Sequence, residues 1–275
     1  VIIKEDGGHR SGINCGIKNA HGVYFKVVDA DDWVDENAFC CLVETLKRNN
    51  ADIVYSGFLW AYDEGQEDTT QFRTKVERKI PFTKVLYDKI YEFDEIASWL
   101  YIKMHNMTIR TEILRKNGIQ IDEKCYYVDM EYVIYPIPYV STICFIKESV
   151  YMYRIGSQSQ SVGITKMQQN ERDYNRVIDS LLNFYNHLGK EIPCTISKKD
   201  YIARLIARVI AGKMKIMLSF PGCKEKKQEL EKFDKRIKKE YPEIYDSNIN
   251  GAVYALRKSS YAVYYLISIL VRAKY

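Results

Sequence analysis

The stretch Val23-Tyr24-Phe25-Lys26-Val27-Val28-Asp29-Ala30-Asp31-Asp32-Trp33 decides how this chain is read. Its first six residues form an apolar run broken only by Lys26, the pattern of a buried strand. Three carboxylates follow within four positions. Crowded at a strand end, they make a hard, oxygen-rich site suited to Mg²⁺ or Mn²⁺ rather than zinc. In an open α/β sheet, ligands bind outside the carboxyl ends of the strands, where Asp29, Asp31 and Asp32 fall. A divalent ion held there would neutralise the charge of a departing diphosphate. The competing role for such a turn is helix capping, and Asp35 stands directly before a helical pattern.

Outward from this stretch, residues 1–3 read as a strand, 11–20 as a short helix and 36–49 as an amphipathic helix. That helix places Phe39, Leu42, Val43 and Leu46 on one face. Residues 51–57 read as the next strand, and the polar segment 61–80 as a surface excursion. Helices are expected over 94–103, with Trp99 and Leu100 inward, over 111–117 with Gly118 as the stop, and over 129–135 ahead of Pro136. Two strands, 142–146 and 149–154, then precede a polar loop bracketed by Gly156 and Gly163. This alternation predicts an α/β domain over 1–165. Helical patterns at 167–188, 198–220, 223–240 and 251–273 predict an all-helical region over 166–275.

The chain has 275 residues, 47% hydrophobic and 28% charged, enough to bury a sizeable core. Its seven cysteines are scattered and form no CxxC pair, which argues for reduced thiols in the cytosol. No signal-peptide pattern precedes the globular one. The net charge of +5 conceals an asymmetry: residues 198–275 carry 18 Lys/Arg against 8 Asp/Glu. The basic helices lack the aromatic interleaving that base stacking needs, so no nucleic acid is expected. The apolar run 261–271 is too short to span a bilayer. With Arg257, Lys258, Arg272 and Lys274 around it, the segment 251–274 reads either as a buried terminal helix or as one lying on an anionic membrane surface.

An ordered series of motifs resembles the family 2 glycosyltransferases, enzymes of the GT-A fold. Gly7-Gly8-His9 leads into a helix holding Asn14-Cys15-Gly16. Ala20-His21-Gly22-Val23-Tyr24 enters the strand, and Asp29-Ala30-Asp31-Asp32 follows. Downstream, Asn117-Gly118-Ile119 with Asp122-Glu123, then Tyr126-Tyr127-Val128-Asp129, resemble the stretches around the family's base. Tyr151-Met152-Tyr153-Arg154 with Ser157, Ser159 and Ser161 resembles its closing loop. The resemblance covers residues 1 to about 163. Two places depart from the pattern: Ile13 stands where an arginine is usual, and Val128 where many members have Glu. The family's opening strand and its Asp-Asp-Gly-Ser turn are not in this sequence. The expectation is therefore a fragment, and a chain so placed would hold the diphosphate end of a donor cleft without the nucleoside end.

The resemblance implies a Rossmann-like mixed sheet flanked by helices and transfer of a sugar from a nucleotide-diphosphate donor. A UDP-sugar is the expected donor. The acceptor would be a saccharide or lipid-linked hydroxyl in surface polysaccharide or glycolipid synthesis, on the cytoplasmic face of the membrane. It also implies roles for single residues. Asp29, Asp31 and Asp32 would hold Mg²⁺ or Mn²⁺, with Asp29 also contacting the ribose. Gly7, Gly8, His9, Asn14, Arg154 and Ser161 would contact the donor. Asp129 would be the general base, and His105 and Trp99 would line the acceptor side. Glu131, two residues after Asp129, is expected to face solvent. The alternative is a non-catalytic GT-A-like scaffold at the membrane surface.

Overall fold

The computed structural model describes residues 2, 3, 5, 9–62, 73–76, 85–155 and 163–274, with the side chains of 9, 10 and 73–76 left out. Gly7, Gly8, Ser161 and most of the loop 156–163 lie outside the described residues. Two compact units are present: Val1–Gln160 with Gly189–Lys198, and Ser161–Leu188 with Lys199–Tyr275.

The first unit is built on a seven-stranded sheet. Its strands are β1 (Tyr24–Phe25), β2 (Trp33–Val34), β3 (Ile53–Tyr62), β4 (Arg73–Val76), β5 (Ile90–Glu92), β6 (Met107–Arg110) and β7 (Thr142–Ile155). The order is β1-β6-β3-β7-β2, with β4 on β3 and β5 on β7. Only the central pair β3 and β7 runs parallel; the other pairings are antiparallel. Ile53, Val54 and Tyr55 of β3, and Ile143, Cys144 and Phe145 of β7, are fully or almost fully buried. Strands covered on both faces read as continuous apolar runs, which both of these do.

Strand β7 is one element where the sequence suggests two. Between the pairs Tyr55↔Phe145 and Gly57↔Ser149 it uses more residues than β3, and the register shifts again before Phe58↔Tyr151. The charged Lys147-Glu148 is thus absorbed as a bulge rather than a hairpin turn. Gly57 permits the close approach: a Cβ there would lie 2.5 Å from Ser149 Oγ and 3.2 Å from its Cα.

Helices α1 (His9–Asn19), α2 (Glu36–Arg48), α3 (Phe93–Ile96), α4 (Thr111–Lys116) and α5 (Asp129–Ile134) belong to this unit. Asp35 caps α2 by accepting the Ala38 N–H at 2.9 Å. The helix buries Ala38 and Leu42 with Val54, Ile146 and Val150, while Phe39, expected inward, is 39% exposed. The expected helix 94–103 stops after Ile96, so Trp99 lies in the turn that follows α3. Gly118, at φ +58°, closes α4 as expected. Ile2 and Ile3 form no strand, and the expected strand over 23–28 is regular only at Tyr24–Phe25.

The second unit is helical: α6 (Ile164–Gln169), α7 (Glu171–His187), most of α8 (Ile196–Ser219), α9 (Lys224–Glu240), α10 (Pro242–Asp246), α11 (Gly251–Lys258) and α12 (Tyr264–Lys274). Asp234, fully buried, takes two Arg257 bonds at 2.7 and 3.0 Å and the Tyr261 hydroxyl at 2.7 Å. The Arg257 guanidinium also lies 3.4 Å from the centre of the Tyr245 ring. This network breaks the expected helix 251–273 in two. Ser260 and Tyr261 take positive φ (+49° and +64°), and the turn brings the Tyr261 hydroxyl onto Asp234. Among the described residues, no helix is long and apolar enough to cross a membrane.

Candidate functional site

The acidic turn is fixed by its two flanks. The Asp32 N–H donates to the Asp29 carbonyl at 3.1 Å, closing a β-turn. Strand β2 then pairs Trp33 with Met152 and Val34 with Tyr151, and the Asp35 N–H donates to the Val150 carbonyl at 2.9 Å. The turn is thereby stapled to the second half of β7. Side chains complete the staple. The Tyr151 hydroxyl donates to Asp32 Oδ2 and accepts the Asp29 N–H at 3.2 Å. Asp32 Oδ1 accepts the Arg154 N–H at 2.8 Å.

A third group joins the carboxylates from the turn before β6. Ligand atoms of Asp29, Asp32 and His105 lie within 4.8 Å of one another. His105 is positioned by its neighbour Asn106, whose amide donates to the Ser56 carbonyl at 2.8 Å. The imidazole packs edge-on against the Tyr151 and Tyr153 rings, at 4.7 and 4.8 Å between centroids, and beside Phe58 at 5.3 Å. Phe58 and Tyr151 are register partners, as are Trp60 and Tyr153, so the two strands present one aromatic face beneath the histidine. The Lys103 ammonium lies 4.7 Å from the Phe58 ring centre on that face.

The electrostatics follow from partial withdrawal from water. Burial pushes the Asp32 carboxyl up to about 6, against the pull of its bonds from Tyr151 and Arg154; Asp31 and Asp29 push it the same way as burial. Burial also raises Tyr153, to about 12, and Asp32, Asp129, Asp29 and Asp31 each add to that rise. Tyr153 thus sits in the field of all four carboxylates, which ties Asp129 to the acidic turn. Lys26 donates to the His105 carbonyl at 2.9 Å, with its ammonium 5.7 Å from the Tyr151 ring centre. Desolvation lowers this lysine to about 7.

The remaining expected residues divide clearly. Asp129 opens α5, half-buried. Glu131 is corrected: it is fully buried and accepts the Asp122 N–H at 2.7 Å, because α5 lies inside the unit rather than on its surface. Asn14 ties α1 to the segment that precedes α5. Its amide donates to the Ile121 carbonyl at 2.8 Å and to Glu123 at 3.0 Å, and its oxygen accepts the Ile121 N–H at 3.0 Å. Asp31 is exposed and stands outside the Asp29–Asp32–His105 group. Arg154 is exposed, and its backbone holds Asp32. His9 opens α1. No described contact joins Trp99 to the cluster. Sequence reasoning assigned no role to Lys26, Tyr151 or Tyr153. The signals were a lone lysine in an apolar run and two tyrosines at strand spacing before Arg154.

Two carboxylates and an imidazole converging within 4.8 Å fit a divalent cation of the Mn²⁺ or Mg²⁺ kind, the imidazole favouring Mn²⁺. A cation there would also offset the burial of Asp32.

Comparison with known proteins agrees with this architecture. The family profile described as glycosyl transferase family 2 matches residues 1–116. EpsJ of Bacillus subtilis (strain 168), an uncharacterized glycosyltransferase, is 26% identical over 206 residues, covering 74% of this chain and 58% of EpsJ. The glycosyltransferase GlyG of Streptococcus pneumoniae serotype 4 is 26% identical over 159 residues, covering 56% of this chain and 50% of GlyG. The chain thus spans little more than half the length of these relatives. The crystal structure of S. aureus TarS 1-349 in complex with UDP-GlcNAc superposes with a TM-score of 0.60 at 14% identity, covering 98% of this chain and 73% of that one. Its mixed sheet has the GT-A fold, and its first 116 residues match the glycosyl transferase family 2 profile.

Proposed function

We propose that this chain carries the reaction centre of an inverting, metal-dependent glycosyltransferase. It would move a sugar from a nucleotide-diphosphate donor, a UDP-sugar, to an acceptor hydroxyl of a surface polysaccharide or glycolipid at the inner face of the plasma membrane. The observation that carries the proposal is the convergence of Asp29, Asp32, His105 and Asp129 around Tyr151 and Tyr153. The UDP-GlcNAc and UDP complexes of TarS support the choice of donor.

In this mechanism Asp129 takes the proton from the acceptor hydroxyl as its oxygen attacks the anomeric carbon. The bond from that carbon to the diphosphate breaks on the opposite face, its electron pair leaving with the diphosphate, and the configuration inverts. Asp29, Asp32 and His105 would hold Mn²⁺ or Mg²⁺, which when bound neutralises the leaving group's charge. Asp31, exposed beside them, would add its negative charge to the cation site. Tyr151 keeps Asp29 and Asp32 in register with each other. On this reading His105 would serve the metal side rather than the acceptor side expected from the sequence. Arg154 would meet phosphate oxygens with its guanidinium.

The test is Mn²⁺-dependent release of UDP from a panel of UDP-sugars. We expect release that chelation abolishes and Mn²⁺ restores. Equal release by wild type and Asp129→Asn would remove Asp129 from the mechanism, and release indifferent to chelation would remove the cation.

A further inference from the structure

The second unit carries an exposed apolar surface. On α12, Tyr265, Leu266, Ile269 and Leu270 are each between 46% and 59% exposed. They fall at helical spacing on one side, while Tyr264, Ile267 and Ser268 pack inward. Ile249, 80% exposed, precedes α11, and Tyr254, 59% exposed, lies on it. Beside Leu270 opens a groove of about 840 Å³ between α8, α11 and α12. Apolar side chains such as Met214, Leu218, Ile267 and Val271 line its walls, and Arg208, Lys215 and Lys274 are its charged groups. Among the described residues, no carboxylate lines it. Downstream of Asp246 the sequence holds Arg257, Lys258, Arg272 and Lys274 and no acidic residue at all.

An apolar helix face beside a groove with an apolar wall and basic side chains in its lining has the chemistry of a lipid–water boundary. A soluble protein partner would need matching carboxylates over the groove and a matching apolar patch. An anionic bilayer supplies both from one surface. We propose that α11 and α12 dock this unit onto an anionic phospholipid membrane. The side chains of Leu266, Ile269 and Leu270 enter the acyl boundary, and Arg208, Lys215 and Lys274 meet lipid phosphates at the groove. The proposal is independent of the transfer reaction and of its donor.

Co-sedimentation of the full chain with vesicles tests it. Vesicles of 30% phosphatidylglycerol in phosphatidylcholine are compared with phosphatidylcholine alone, at about 0.1 M salt, where the Debye length is about 10 Å. We expect binding to the anionic vesicles only, weakened by raised salt. Each basic side chain near such a surface is worth about fivefold in partition. Lys215→Gln with Lys274→Gln should therefore weaken binding by roughly 25-fold. Leu266→Ser with Ile269→Ser should weaken it at least as much while leaving the thermal transition in place, since both side chains are exposed. Equal binding to both vesicle types, or binding untouched by either double variant, would overturn the proposal. So would a serine variant that turns a dimer into a monomer by analytical ultracentrifugation, which would make a second copy the occupant.

Discussion

The Tyr151 hydroxyl bridges the two ends of the acidic turn: it accepts the Asp29 N–H and donates to the Asp32 carboxylate. One oxygen on β7 therefore sets the separation of two expected cation ligands. Its bond to Asp32 favours the ionised carboxylate, opposing the effect of burial. In the cation-free chain, Tyr151→Phe should raise the Asp32 pKa above about 6, read by NMR titration of the carboxyl in chelator. A titration that stays in place would mean that the Tyr151 bond does not hold the carboxylate ionised.

The same carboxyl affects stability when no divalent cation is present. Its folded pKa is raised, so folding favours the protonated form. That advantage is present below the unfolded pKa and is lost as pH rises through about 6. Asp32→Asn should stabilise the cation-free chain at pH 7.5 by about 1 kcal/mol, a value already discounted for partial exposure. At pH 4 the two proteins should match. Urea unfolding at both pH values in chelator measures the difference, and a destabilised Asn variant at pH 7.5 would contradict the sign.

Removing the proposed base should act on turnover rather than on donor binding. Asp129→Asn keeps the size of the side chain at the start of α5 but cannot accept the acceptor's proton. We expect kcat to fall by about 10²- to 10⁴-fold with donor KM nearly unchanged. A proportional rise in KM would instead point to a role in donor contact.

His105→Ala should weaken Mn²⁺ binding by about 10-fold or more, read by calorimetry on the chain alone. The Asn106 anchor of the turn remains in place. An Mn²⁺ affinity equal to wild type would return His105 to the acceptor side.

In the second unit, Asp234→Ala strips the partner from Arg257, which is itself largely withdrawn from water. Losing one member of a buried pair costs about 3–5 kcal/mol. Thermal unfolding followed by circular dichroism should show that loss, and a change below about 1 kcal/mol would mean that Tyr245 alone satisfies the guanidinium.

Local signals in the sequence reach some features and miss others. The Asp29–Asp32 turn, the Asp35 cap and the Gly118 stop depend on neighbours a few residues away, so pattern and turn chemistry find them. The place of His105 does not. It depends on β6 and β7 lying on either side of β3, a pairing of distant segments that no local period encodes. Glu131 misleads for the same reason, since helical spacing places it away from Asp129 but cannot tell that α5 lies within the unit. The union of two expected strands into β7 rests on Gly57 accepting a bulge opposite it, a steric allowance visible only once β3 and β7 are side by side.

The length of β7 has a consequence for how the protein fails. Its first half is core, from Ile143 to Phe145, and its second half carries Tyr151, Tyr153 and Arg154. Fold and cleft thus share one beam, with no hinge or loop between them to let one loosen while the other stands. Heating or denaturant should extinguish the proposed transfer activity and protection of the β7 amides together, at one midpoint, with no state that keeps the strand and loses the cleft.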